Sequence, residues 1–191
     1  MLLDAAWGRT MAFFDRSALE VAPELLGWSL HRRFPDGQVR SVRLVEVEAY
    51  TAQDPACHAY RGKTLRNAVV FGPGGFAYVY LIYGMYCCLN VVCAEPGVPG
   101  AVLLRAAQPG LRGPGILCRE LAITRVLNTI DLCNPDGPLW LTPGAVVPEA
   151  IIATKRVGIT QGVDLLWRFC LKDHPDVSVK PGREKVPIRR P

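Results

Sequence analysis

The longest run of this chain without a charged residue extends from Asn67 to Ala94, and it limits the fold more than any other feature. So long an uncharged run must be buried, in a bilayer or in a protein core. Gly72, Pro73, Gly74, Gly75 and Gly84 interrupt it, and Tyr78, Tyr80, Tyr83, Tyr86 and Asn90 set polar tips along it. Its centre, Phe76-Ala-Tyr-Val-Tyr-Leu-Ile-Tyr, is aromatic and β-branched, which is strand composition. We therefore expect two buried strands broken at Gly84 and no transmembrane helix.

Turn residues punctuate the rest. Residues 15–27 carry a helical pattern with Asp15 or Ser17 as N-cap and Gly27 as stop, kept short by Pro23. Strands at 28–34 and 38–50 flank the turn Pro35-Asp36-Gly37 and form a hairpin. Residues 51–75 have no clean period and read as a long loop. Strands follow at 76–83, 85–93 and 101–107, and Gly113-Pro114-Gly115 opens a helix over 116–127. The remainder is turn-rich, with extended pieces at 139–141 and 150–153 and a last strand at 166–172. Strands dominate and no βαβ alternation appears, which predicts an α+β fold: one domain over 1–191, a mostly antiparallel sheet and flanking helices. Residues 1–12 and 180–191 are expected to be flexible ends.

At 191 residues the core needs no disulfide or metal staple. The net charge of +5 is uneven: between Lys180 and Pro191, five basic residues against Glu184 give +4. A basic tail suits a polyanionic partner, although such tails are commonly just solvated. The 7 cysteines form no C-x-x-C pair, which argues against a zinc ribbon or a thioredoxin-like site. An odd, irregular set without a signal peptide implies reduced thiols and a cytoplasmic location. No metal or other cofactor is expected.

Three features carry the chemistry. In Val45-Glu46-Val47-Glu48-Ala49-Tyr50, period two puts Glu46, Glu48 and Tyr50 on one face. We expect Glu46 to point to water, and Glu48 beside Tyr50, where the strand enters the loop, to be a site candidate. All six tyrosines lie within residues 50–86, fitting either a packed aromatic core or a stacking slot for a flat ligand. Asn90 and Arg105 interrupt apolar strands, so each needs a buried partner, and Glu48 is the natural one for Arg105. That pair can be structural or functional.

These residues resemble the alkyladenine (3-methyladenine) DNA glycosylases of base excision repair. The resemblance rests on Val45–Tyr50, on Asp54-Pro55-Ala56-Cys57-His58-Ala59 and on Gly62-Lys63-Thr64-Leu65-Arg66-Asn67. It continues through Tyr78–Tyr86, Leu89-Asn90-Val91-Val92 and Val102-Leu103-Leu104-Arg105-Ala106, with weaker matches up to Arg156-Val157-Gly158-Ile159. It implies a curved antiparallel sheet and a monofunctional, monomeric enzyme acting on double-stranded DNA that contains alkylated purines. By motif, Glu48 would be the general base for a water, with Arg105 and the carbonyl of Val157 positioning it. Tyr50, His58 and Tyr80 would sandwich the flipped base, and Asn90 would crowd the 2-amino group of guanine. Tyr83 would fill the vacated stack, with Met85, Tyr86, Thr64 and Arg66 also on DNA. Two departures stand out: Cys57 where serine is common, and a slightly short stretch from Tyr50 to His58. The alternative class is a non-catalytic nucleic-acid binding domain of the same fold. Glu48 argues against it, because a carboxylate aimed at a polyanion does nothing for a pure binder.

Overall fold

A computed structural model describes residues 12–144 and 150–184. The ends expected to be flexible therefore fall outside the described residues at 1–11 and 185–191. Residues 180–184 are described, and Glu184 is tied to the body of the protein by Thr154 and Arg168.

The sheet is built around one long strand. β1 (Ser29–Arg33) and β2 (Val39–Thr51) form the expected hairpin. β3 (Ala77–Ile82), β4 (Tyr86–Val92) and β5 (Gly100–Gln108) follow as a meander. β6 (Leu111–Arg112), β7 (Leu139–Thr142), β8 (Ile151–Thr154) and β9 (Arg168–Leu171) are short. The order is β3-β4-β5-β2-β1-β7, with β6 on β5, β9 on β2 and β8 on β9. β2 has β5 along one edge; its other edge pairs first with β1 and then, at Glu46–Glu48, with β9. Register shifts on either side of Glu46 mark an irregularity of the bulge kind, which bends and twists a strand. The result is a strongly curled antiparallel sheet in an α+β fold.

Helix α1 (Ala18–Glu24) begins at Ser17, not Asp15. The Ser17 hydroxyl accepts from the Leu19 N–H and the Glu20 carboxylate accepts from the Ser17 N–H, which satisfies end donors that would otherwise be orphaned. Its apolar face, Ala18, Val21 and Ala22, is buried against β2 and β5. Helix α2 (Pro114–Glu120) corrects the expectation of a helix over 116–127. Ala122 turns into the left-handed region (φ 47°), and Thr124 then caps a separate 3-10 turn, Arg125–Leu127. Leu121 and Leu127 are buried on both sides of the break, so the apolar period survives it while the helix does not. Leu25, Leu30, Leu44, Leu104 and Leu117 anchor the main core. A smaller cluster of Cys57, Ala59, Val70, Tyr78, Val92 and Ala101 fixes the long loop onto the sheet. Among the described residues no helix is long and apolar enough to cross a membrane.

Candidate active site

β2 and β5 run side by side and bring Glu46, Glu48 and Arg105 together inside the sheet. Arg105 Nε donates to Glu46 Oε1 at 3.1 Å, and its Nη1 lies 3.5 Å from Glu48 Oε2. Both carboxylates are fully buried. Glu46 therefore does not point to water. The expectation failed because β9 covers the other edge of β2 at this point, which brings Arg168 Nη1 within 2.9 Å of Glu46 Oε1. Glu46, rather than Glu48, is the closer partner of Arg105.

Glu48 is held from three directions. The Val157 N–H donates to Oε1 at 2.7 Å, the Tyr50 hydroxyl donates to Oε2 at 2.9 Å, and Arg105 approaches the same Oε2. Burial works against the Arg105 charge, but Glu48 and then Glu46 outweigh it and hold its pKa above the ordinary value. Burial, followed by the nearby Glu48 charge, raises the Tyr50 phenol. Tyr50 is therefore a proton donor at neutral pH.

Above this carboxylate opens a cleft of about 770 Å³, within the range of small-molecule sites. Tyr50, His58, Tyr80, Asn90, Arg105 and Val157 all contribute to its walls. Glu48 is not among the wall residues; it lies beneath Tyr50, Arg105 and Val157, in contact with all three. His58 packs edge-on to Tyr80 with ring centroids 4.4 Å apart, and its Nδ1 is 3.0 Å from the Tyr78 hydroxyl. The imidazole remains open to the cleft, yet the crowding around it lowers its pKa, and Arg66 adds to the effect. Asn90 donates from Nδ2 to the Tyr78 carbonyl at 3.1 Å, which gives this buried amide its partner. Cys88 also lines the cleft, with burial pushing its thiol up to about 11, so it stays protonated and unreactive.

At the mouth, β3 and β4 are joined by a tight turn in which Tyr83 (φ 52°) and Gly84 (φ 71°) are both left-handed. That geometry suits a hairpin and is strained for tyrosine. Tyr83 is 76% exposed and Tyr86 47%, so the packed-core reading fails for these two tyrosines, and Met85 between them is 68% exposed. Tyr83 and Tyr86 also edge the cleft, whereas Met85, Thr64 and Arg66 do not line it. Arg66 reaches across to the Leu81 carbonyl, and Thr64 exchanges hydrogen bonds with Asn67.

Several important residues escaped the sequence reading. Asn67 donates to the carbonyls of His58 and Gly62 and so shapes the loop that presents His58. Asp54 and Arg156 form a fully buried ion pair, and the Arg156 guanidinium sits 4.7 Å over the Tyr50 ring. Their only sequence signal is that each lies inside a quoted motif. Neither Lys63 nor Lys155 lines the cleft; Lys155 pairs with Asp164 at the surface. Among the described residues no group of three His, Cys, Asp or Glu could hold a metal ion.

The methylpurine-DNA glycosylase family model matches residues 12–112 and 110–175. A protein from Synechococcus sp. (strain JA-3-3Ab) is 45% identical, over 91% of this chain and 98% of its own length. One from Methanocella arvoryzae is 47% identical over 87% and 93%, and one from Synechococcus elongatus 44% identical over 97% and 96%. All three bear the same provisional name, 3-methyladenine DNA glycosylase.

Proposed function

The chain belongs to the methylpurine-DNA glycosylase family, and from that premise we propose that it flips alkylated purines out of duplex DNA and hydrolyses their N-glycosidic bond. The observation that carries this reading is Glu48, a buried carboxylate oriented by Val157, Tyr50 and Arg105 beneath an aromatic-walled cleft. Each carboxylate oxygen can accept two hydrogen bonds, and Oε1 holds one, from Val157. Its second acceptor site takes a proton from a water. That water attacks the anomeric carbon, the proton passes to Glu48, and the bond to the purine breaks with its electron pair leaving on the base.

A purine alkylated at N3 or N7 is a cation before it leaves and neutral afterwards. It needs no acid partner, and Glu48 alone is sufficient. The same cation is attracted to the faces of Tyr50 and Tyr80, by about 0.5–2 kcal/mol per well-placed ring. A neutral His58 adds no positive charge against that attraction. Extrusion costs a few kcal/mol of unstacking, offset by the aromatic slot and by Tyr83 entering the gap. With no lysine in the cleft wall, the product is an intact abasic site.

The test is chemical. Wild-type protein incubated with methylated duplex DNA should release free 3-methyladenine, measured by chromatography, and leave alkali-labile abasic sites. Tight binding of that DNA without base release would favour the non-catalytic binder.

A further inference from the structure

We propose that Glu46 and Ser178 form a positioning pair for Arg105, which makes the segment after β9 part of the catalytic apparatus; this rests on Glu48 being the base. Arg105 is the link. Its Nη1 faces Glu48, its Nε donates to Glu46 at 3.1 Å, and its Nη2 lies 3.3 Å from the Ser178 hydroxyl. Three guanidinium nitrogens therefore have three different partners, and two of those partners are joined to each other. The Ser178 N–H donates to Glu46 Oε2 at 2.6 Å and its hydroxyl donates to Glu46 Oε1 at 2.9 Å.

A second arginine locks the arrangement from behind. Arg168, fully buried, donates to Glu46 Oε1 and to the Val179 carbonyl, both at 2.9 Å, and pairs with Glu184. Glu184 in turn accepts from the Thr154 hydroxyl at 2.7 Å. Residues 178–184 thus close the back of the site, although the family match ends at residue 175. A long arginine side chain has several rotamers to choose among, and a fork fixed at two nitrogens leaves the third in one place. The chain needs that fixity because the 3.5 Å approach to Glu48 is already the longest contact of the set. Charged or titratable groups around Glu48 are Glu46 and Tyr50 on its own strand, Arg105 on β5, Tyr80 on β3, Cys88 on β4, Arg156 after β8 and Arg168 on β9. Of the three partners that hold Arg105, Ser178 alone can be altered without changing a charge.

The experiment measures single-turnover excision of 7-methylguanine from duplex DNA, with DNA affinity and melting temperature measured in parallel. Ser178→Ala should lower the rate several-fold, on the order of one hydrogen bond to a charged group, with DNA affinity unchanged. Ser178→Thr keeps the hydroxyl and should restore the rate. Glu46→Gln should lose more, about tenfold or beyond, again without loss of DNA binding. If Glu46→Gln does not fold, the Ser178 pair decides. A folded Ser178→Ala or Glu46→Gln protein with the wild-type rate would overturn the proposal. Failure of the underlying reading is separate: it would show as an active Glu48→Gln protein.

Discussion

His58 is the residue whose protonation most directly touches the proposed substrate. Partial burial, with Arg66 adding to it, lowers its pKa from the ordinary 6.5. Between the lowered value and 6.5 the unfolded chain binds a proton that the folded protein does not, so stability falls as pH drops through that window and is unaffected above it. Excision of a cationic purine should fall only as pH drops through the lowered value itself, where the folded protein acquires an imidazolium that repels the base. Following the His58 ring signal by NMR checks this, and a midpoint above 6.5 would contradict it. At the same scale, the proposed function gives selectivity to Asn90. Asn90→Ser should raise release of 7-methylguanine relative to 3-methyladenine, roughly tenfold for a gain of a few atoms' space. An unchanged ratio would remove Asn90 from base discrimination. Asn90 was legible in the sequence because an amide inside an apolar strand demands an explanation. Asp54, Asn67 and Arg156 were not, since polar residues in a loop usually meet water and nothing local shows that these are buried.

At the scale of elements, the β3–β4 turn is the part of the molecule that the proposed function sets against a duplex. It holds Tyr83 in a left-handed conformation and leaves most of the side chain exposed. Tyr83→Ser should therefore change stability by no more than about 0.5 kcal/mol, as at other exposed positions. Excision from fully paired duplex should drop, while mispaired lesions, already easier to extrude, should be spared. A large fall in melting temperature without that dependence on pairing would return Tyr83 to a packing role. The strands were legible because period-two patterning and Pro-Gly turns mark them locally. The helix over 116–127 was misread because its apolar spacing continues across Ala122, where only the backbone changes. Glu46 was misread for a different reason. What buries it is β9, a strand distant in sequence, and alternation within β2 cannot report a neighbour that arrives so late in the chain.

Across the whole molecule, buried charge pairs tie the loop, the sheet and the C-terminal segment into one framework. Arg156 is fixed by Asp54 and lies between the rings of Tyr50 and Trp167. Arg156→Met leaves Asp54 as an uncompensated buried carboxylate and should cost about 3–5 kcal/mol in chemical denaturation. Adding Asp54→Asn should recover a substantial part of that loss; no recovery would contradict the pairing as its cause. In the proposed mechanism the framework serves one chemical event, proton transfer to Glu48, and one measurement tests it most directly. Glu48→Gln keeps the shape of the side chain and removes the proton acceptor, so single-turnover excision from methylated duplex should fall roughly 10²–10⁴-fold. Affinity for the same DNA should be retained or rise, since a negative charge has gone. Near-wild-type excision by Glu48→Gln would contradict the account.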